Sequence, residues 1–217
     1  MLDRVLPRPV AVTEAYEDPA HAVLYRSECE VVRNAVGKRR REFTTVRWCA
    51  RHALVRLGER AGPVLPDAHG APRWPAGVVG SMTHCAGYRA AAVARSAAYQ
   101  VLGIDAEPDE AVPPAVLDMV ALPGELRRLS ALREADPTVS WDRLLFSAKE
   151  AVYKAWHPLT GRPLGFLQAD VVLARDGTFT ARLPPSPLDV LRGRWTAGRG
   201  LLLTAVAVPA YGRSRTA

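Results

Sequence analysis

The chain has 217 residues, 48% of them hydrophobic and 24% charged, and a formal net charge of +7. This composition is typical of a globular protein that buries its core in one domain or in two tightly joined halves. No stretch approaches the roughly 18 apolar residues of a membrane-spanning helix, and the N-terminus lacks the apolar core of a signal peptide, so we expect no membrane partner. The three cysteines lack C-x-x-C spacing, which argues against a disulfide framework or a zinc site and favours a cytoplasmic protein.

Residues 21–60 are predicted to be helical, and they contain the strongest concentration of positive charge. The run Lys38-Arg39-Arg40-Arg41 is followed by Arg47 and Arg51, and an apolar stripe from Phe43 to Leu57 has helical spacing. At about 100° per residue, Arg40, Arg47 and Arg51 lie along one flank of that stripe. The pattern fits a solvated helix face or a nucleic-acid contact.

Residues 76–105 are predicted to form strands that meet through hairpins. Between two of them lies Gly80-Ser81-Met82-Thr83-His84-Cys85-Ala86-Gly87-Tyr88-Arg89. Small hydroxyl residues and a histidine in a glycine-bounded loop can bind phosphate through side chains and backbone N–H groups. Thr83 and His84 are therefore candidate ligands, although both residue types are also common in ordinary turns.

The run Gly103-Ile104-Asp105-Ala106-Glu107 ends an apolar strand with two carboxylates. Side chains at i and i+2 point to the same face of an extended segment, so Asp105 and Glu107 can reach one ion. Mg²⁺ needs only a few carboxylates because water and substrate phosphate supply its other oxygen ligands. The competing interpretation is that these acidic residues simply mark where the strand leaves the core.

Residues 113–134 and 140–157 are predicted to be helical, after a hinge near Glu107–Pro114. In Phe146-Ser147-Ala148-Lys149-Glu150-Ala151-Val152-Tyr153-Lys154-Ala155-Trp156, apolar residues recur at i, i+3, i+4, i+7 and i+8. Lys149, Glu150 and Lys154 fall outside that stripe, and Pro158 is predicted to help end the helix. Glu150 and Lys154 could be no more than an exposed i, i+4 ion pair.

Strands are predicted again at 169–181 and 199–208, with a surface loop at Pro184–Pro187 and a disordered tail at 211–217. This mixture of helices and short strands predicts an α+β fold. Three carboxylates that could converge with two ammonium groups suit a hard cation beside a phosphate ester. The sequence therefore predicts an enzyme that acts on a phosphorylated substrate, with its carboxylates exposed rather than packed.

The three segments, G-S-M-T-H-C-A-G-Y, G-I-D-A-E and F-S-A-K-E-A-V-Y-K-A-W, together strongly resemble the signature motifs of the Sfp-type 4′-phosphopantetheinyl transferases. The likeness runs from about Lys38 to about Val208 and is closest to the actinobacterial and enterobactin-synthesis branch. It implies two pseudo-symmetric subdomains, residues 1–107 and 108–210, each with a small antiparallel sheet and helices. It also implies an active site in the cleft between them.

The resemblance implies that the 4′-phosphopantetheine arm of coenzyme A is transferred to a serine of an apo carrier protein, and that 3′,5′-ADP is released. Mg²⁺ would be held by Asp105, Glu107 and Glu150. The serine proton would pass to Glu150, Glu107 or a metal-bound water, and Lys154 would steady the developing charge. The expected coenzyme A ligands are Arg39 or Arg40, Arg47, Thr83, His84 and Lys149.

The implied partners are acyl or peptidyl carrier proteins of fatty acid, polyketide or nonribosomal peptide biosynthesis, bound by a monomer. The segment Ala111–Leu129, with Met119, Arg127 and Arg128, is a candidate docking surface for them. At Pro66–Pro72 the chain lacks a basic residue that relatives often carry, and His69 or Arg73 are candidate substitutes. The alternative function is a basic nucleic-acid-binding protein that uses the Arg39–Arg51 helix, although no nucleic-acid motif supports it.

Overall fold

The computed structural model describes residues 1–185 and 188–210. The predicted tail at 211–217 and the end of the predicted loop Pro184–Pro187 lie outside the described residues. The chain divides into two compact units. Unit 1 comprises Met1–Leu6 and Gly103–Ala207, and unit 2 comprises Pro7–Leu102 with the described residues after Ala207.

The helices and strands alternate irregularly along the chain. The helices are α1 (Arg26–Val31), α2 (Gly37–Arg56), α3 (Pro114–Val120), α4 (Pro123–Ala135) and α5 (Trp141–Thr160), with short 3-10 helices at Leu2–Arg4 and Phe166–Gln168. The strands are β1 (Ala11–Ala15), β2 (Val78–Cys85), β3 (Tyr88–Arg95), β4 (Tyr99–Pro108), β5 (Asp170–Leu173), β6 (Thr178–Arg182), β7 (Val190–Gly198) and β8 (Leu201–Pro209). None of these helices combines the length and the apolarity needed to span a bilayer, as far as the described residues go.

Unit 2 is built on a three-stranded antiparallel sheet in the order β1-β3-β2. α2 packs against this sheet, and its Cys49, Ala50 and Leu54 join Ala91 and Val93 of β3 in one buried cluster. Ala50 and Ala91 are small, which lets the helix approach the strands closely. The predicted strands of residues 76–105 are confirmed. The prediction of helix throughout 21–60 is confirmed for α1 and α2 and is wrong at 21–25, 32–36 and 57–60, which are not helical.

Unit 1 contains strands of a five-stranded sheet in the order β4-β8-β7-β6-β5, with antiparallel pairing from β5 to β8. α5 packs on β5, β6 and β7, and its buried residues include Trp141, Leu144, Val152 and Trp156. The predicted α+β class is therefore confirmed as helices with two antiparallel sheets. The predicted subdomain boundaries, their pseudo-symmetry and the cleft stay predictions.

Gly103 of β4 is in contact with the backbone of α5. A Cβ at this position would lie 2.0 Å from the carbonyl oxygen of Ala151 and 2.9 Å from the nitrogen of Ala155. One turn earlier on the helix, the hydroxyls of Ser147 and Thr204 are hydrogen-bonded at 2.9 Å, which ties α5 to β8. These contacts fix the height of α5 over the sheet, and α5 carries Glu150 and Lys154.

Several elements differ from the sequence predictions. The predicted helix 113–134 is broken between Val120 and Pro123, because proline starts α4 and disfavours helical backbone in the residue before it. α5 passes Pro158 and ends only at Gly161, which adopts left-handed backbone with φ 63°. β1 and β7 were not predicted, and the predicted strand 169–181 is a hairpin that turns at Gly177.

Candidate active site

Asp105 and Lys154 form the centre of an ionic cluster in unit 1. The ammonium group of Lys154 donates to Asp105 Oδ1 at 2.7 Å and to the carbonyl of Ile104 at 3.1 Å. Asp105 is only 4% exposed, so the expectation that each carboxylate would be exposed is wrong for this residue. Its burial is tolerated because the cation of Lys154 compensates the negative charge.

Glu107, two residues along β4, is the most strongly perturbed carboxylate of the cluster. Burial, followed by the nearby negative charge of Asp105, raises the pKa of Glu107 from 4.5 to about 7. Arg143 of α5 opposes this shift, because its guanidinium donates to Glu107 Oε2 at 3.1 Å. The same guanidinium donates to the carbonyls of Glu110 and Ala111. The segment that was predicted as a hinge is therefore bonded to α5.

Glu150 is the third predicted metal ligand. Its pKa is raised mainly by burial; the charge of Lys154 lowers it, and the charge of Asp105 raises it further. Both glutamates therefore lie within range of the negative charge of Asp105. A perturbed acidic cluster of this kind is typical of functional sites.

The donor chemistry of this cluster fits Mg²⁺, which prefers carboxylate oxygens. As the side chains stand in residues 1–185 and 188–210, however, no group of three His, Cys, Asp or Glu residues is arranged to hold a metal ion. Lys154 and Arg143 are the cations that now neutralise Asp105 and Glu107. A shared Mg²⁺ therefore stays a prediction that the donor set supports.

Lys149 lies away from this cluster although it is adjacent to Glu150 in sequence. Its side chain is 1% exposed and is paired with Glu125 at 2.7 Å. A cavity of about 180 Å³ lies beside Lys149 and Glu150. Its lining residues are Lys149, Glu150, Tyr153, Leu164, Gly165, Phe166 and Ala169. The residues 164–169 were not identified from the sequence, because they carry no titratable group and no recognisable motif.

Arg39 and His84, two predicted coenzyme A ligands, are in contact within unit 2. The Arg39 guanidinium lies 2.7 Å from His84 Nε2. Because a guanidinium can only donate, Nε2 must accept, which assigns the imidazole proton to Nδ1, 3.7 Å from a Glu42 oxygen. Thr83 is buried in β2. The structure thus brings Arg39 to the histidine of the first motif.

The other arginines of α2 are in different environments. Arg47 is buried over the ring of Phe43 at 3.7 Å and donates to the carbonyl of Val64 at 3.2 Å. Burial lowers the pKa of Arg47 to about 10. Arg51 is buried against Glu28 at 2.9 Å. Arg40 is exposed. Burial removes Arg47 and Arg51 from the surface that the nucleic-acid alternative would use, whereas Arg39, Arg40 and Arg41 stay exposed.

The turn at Pro66–Pro72 is held by its own polar groups. Asp67 Oδ1 accepts hydrogen bonds from the backbone of His69 at 2.8 Å and of Ala71 at 2.9 Å, and Pro66 pairs with Pro72. His69 and Arg73 are both exposed. Either side chain is accessible to a ligand, and their predicted substitution for the expected basic residue stays a prediction.

The comparison with known families covers most of the chain. The family model "4′-phosphopantetheinyl transferase N-terminal domain" matches residues 27–94, and "4′-phosphopantetheinyl transferase superfamily" matches residues 101–204. These two matches include all three segments on which the resemblance was based.

Three curated relatives extend this result. The chain is 55% identical over 208 residues to 4′-phosphopantetheinyl transferase Svp of Streptomyces mobaraensis, covering 92% of this chain and 84% of the relative. It is 46% identical over 220 residues to 4′-phosphopantetheinyl transferase PptT of Mycobacterium tuberculosis, covering 94% of this chain and 96% of the relative. It is 33% identical over 157 residues to enterobactin synthase component D of Salmonella typhi, covering 70% and 62%. The resemblance is confirmed: the chain belongs to the 4′-phosphopantetheinyl transferase superfamily and is a transferase of that class.

Proposed function

We propose that the protein transfers the 4′-phosphopantetheine arm of coenzyme A to a serine hydroxyl of apo acyl or peptidyl carrier proteins. The serine oxygen forms a bond to the β-phosphorus, the bond from that phosphorus to the bridging oxygen breaks, and 3′,5′-ADP leaves. Family membership supports the transfer. The observation that carries the site assignment is the 2.7 Å ion pair of Asp105 with Lys154, which joins two separate motifs, and the charge of Asp105 acts on both Glu107 and Glu150.

Asp105, Glu107 and Glu150 are the residues that would hold Mg²⁺. The ion would supply positive charge to the pyrophosphate, as in other phosphoryl transfers. Burial and the negative charge of Asp105 raise the pKa values of Glu107 and Glu150, so a nearby divalent cation would favour their ionised forms. The raised pKa values of these two glutamates therefore support a cation in the cluster.

Lys154 and the two glutamates are the candidate catalytic groups. Lys154 is held by Asp105 and the carbonyl of Ile104, which fixes its ammonium beside the carboxylates. A cation in this position can stabilise charge that develops on the phosphoryl oxygens. Glu107 or Glu150 would accept the serine proton. In the metal-free protein both pKa values are raised, which increases the affinity of these carboxylates for a proton.

Arg39, Arg40, Thr83 and His84 are the residues we propose for the phosphates at the nucleotide end of coenzyme A. A guanidinium makes charge-assisted hydrogen bonds with phosphate, and Arg39 is already positioned by His84. Arg47 belongs to this set through its charge, but its burial limits the part of its guanidinium that a ligand could contact. That these residues bind the same coenzyme A molecule as the carboxylate cluster is a prediction of the family likeness.

For the carrier protein we propose a docking surface around Met119 of α3 and Arg127 of α4. Met119 is 65% exposed, while neighbouring Val120 is buried, so α3 presents an adaptable apolar side chain to solvent. Arg127 is exposed. Arg128, which was predicted to act with it, is instead paired with Asp170 and the carbonyl of Val171.

The test of this function is intact-mass analysis of an apo carrier protein incubated with the enzyme, coenzyme A and Mg²⁺. We expect the carrier to gain the mass of one phosphopantetheine and 3′,5′-ADP to appear in equal amount. A carrier whose modified serine is replaced by alanine is the control. No mass gain with any apo carrier, from a folded enzyme, would refute the proposal.

A further inference from the structure

The ammonium group of Lys149 is fully used inside unit 1. It donates to the carbonyl of Val120 at 2.8 Å, to Glu125 Oε2 at 2.7 Å and to the carbonyl of Phe166 at 2.8 Å. An ammonium has three N–H donors, and these three acceptors match them. A phosphate ligand needs a donor that faces the ligand, so the contacts favour a different role for this lysine.

Glu125 extends the network to further elements. Its Oε2 also accepts from the backbone N–H of Leu122 at 2.7 Å, and its Oε1 accepts from that of Val171 at 2.7 Å. The pair therefore joins α5 to the end of α3, the start of α4, the turn at Phe166 and β5. Both side chains are 1% exposed. Because an unpaired buried charge is strongly unfavourable, each member of the pair requires the other.

The network supports one wall of the cavity beside Glu150. Phe166, whose carbonyl Lys149 holds, lines that cavity together with Leu164 and Gly165. The Phe166 ring stacks on Phe146 of α5, with centroids 5.5 Å apart. The position of this wall relative to Glu150 thus depends on the hydrogen bond from Lys149 to the carbonyl of Phe166.

We propose that Lys149 is a positioning residue: through Glu125 and the Phe166 carbonyl it holds the segment 164–169 against α5, next to Glu150, and it is not a phosphate ligand. The inference rests on the proposed function insofar as Glu150 is an active-site residue. It assigns Glu125, which no motif includes, to the same task. A residue that acts in this way changes the rate of the bound complex more than the affinity for coenzyme A.

Three variants separate the two roles. Lys149→Met removes the cation and leaves Glu125 buried alone, Glu125→Gln removes the anion, and the double variant removes both charges. Hydrogen exchange over residues 164–172 is measured by mass spectrometry, and kcat and KM for coenzyme A are measured well below the melting temperature. Lys154→Met is the matched control, a lysine on the same helix with different partners.

We expect Lys149→Met to accelerate exchange over 164–172 and to lower kcat about tenfold, with KM for coenzyme A changed less than about threefold. Glu125 is also buried. Glu125→Gln should produce the same two effects in weaker form. In the double variant kcat should recover by at least about threefold over Lys149→Met, because no lone charge remains buried. Lys154→Met should impair transfer without altering exchange at 164–172.

A raised KM for coenzyme A with unchanged exchange in Lys149→Met would overturn the proposal and restore the phosphate ligand. An unchanged kcat with a lowered melting temperature would also overturn it, since the pair would then serve stability alone. Should Lys149→Met fail to fold, Glu125→Gln carries the same comparison. Absence of transfer by the wild type would refute the proposed function instead, and the exchange measurement would still test the positioning role.

Discussion

Replacing Gly103 by alanine should damage both stability and transfer, because the backbone of α5 occupies the space that a side chain would need. The added Cβ would lie 2.0 Å from the carbonyl oxygen of Ala151. An ordinary van der Waals contact is longer by more than about 1 Å, so either β4 or α5 must move by that amount. Overpacking of this kind costs about 3 kcal/mol.

The displacement would reach the carboxylate cluster. Lys154 of α5 bonds to Asp105 of β4 at 2.7 Å, and a shift of about 1 Å between the two elements weakens such a bond substantially. We therefore expect the melting temperature of Gly103→Ala to fall by roughly 6–12 °C, at 2–4 °C per kcal/mol for a chain of this size. Transfer activity of the folded fraction should fall by roughly tenfold or more.

Differential scanning calorimetry and the intact-mass transfer assay measure these two effects. Gly62→Ala is the matched control, because a Cβ there would meet no atom within 4 Å. Its melting temperature should stay the same or rise slightly, since alanine restricts the unfolded chain. If Gly103→Ala melts within 2 °C of the wild type (less than about 1 kcal/mol), the close packing of β4 on α5 is refuted.

The remaining predictions concern individual charges. Asp105→Asn should lower transfer about a hundredfold in the same assay; wild-type activity at saturating Mg²⁺ would remove Asp105 from the site. Since the folded-state pKa of Glu107 is raised to about 7, protonation favours the folded, metal-free protein. The free energy of unfolding of the metal-free protein, measured by urea unfolding with EDTA, should therefore decrease as pH rises from about 4.5 through 7. An equally steep pH dependence in Glu107→Gln would contradict this. Arg39→Ala should raise KM for coenzyme A at an unchanged melting temperature. Arg47→Ala should raise KM and also lower the melting temperature, because it loses the buried stack on Phe43. Equal melting temperatures of the two variants would be evidence against the burial of Arg47. Arg127→Glu should slow carrier modification more at low salt than at high salt, and an unchanged rate would place docking elsewhere.

The elements that could be predicted from sequence are those whose pattern is local. The apolar stripe of α5 has the helical period along most of the helix, and the strands β2, β3 and β4 are separated by short turns. β7 was missed because Gly193 interrupts its apolar pattern. The structure explains that glycine by a long-range contact: a Cβ there would lie 2.1 Å from the ring of Phe179. A contact with another strand leaves no signal within the segment itself.

The burial of charged side chains is the part of the site that the sequence pattern did not predict. Lys149 and Arg51 flank apolar stripes and would ordinarily be assigned to solvent. Each is buried because a carboxylate distant in sequence neutralises it, Glu125 at a separation of 24 residues and Glu28 at a separation of 23. The pairing decides whether such a cation is available to a ligand, and helical periodicity carries no information about the partner.

The same contacts divide the residues of the two motifs on β4 and α5 by task. Gly103, Ser147 and Lys149 determine where α5 and the segment after it lie, through the Ala151 backbone, Thr204 and Glu125 respectively. In the proposed active site, the charges come from Asp105, Glu107, Glu150 and Lys154. Because phosphoryl transfer depends on the placement of charge to within a fraction of an ångström, the packing residues are needed at fixed spacing from the charged ones. A lysine inside a catalytic motif can therefore belong to the packing set, and its chemistry has to be decided from its contacts.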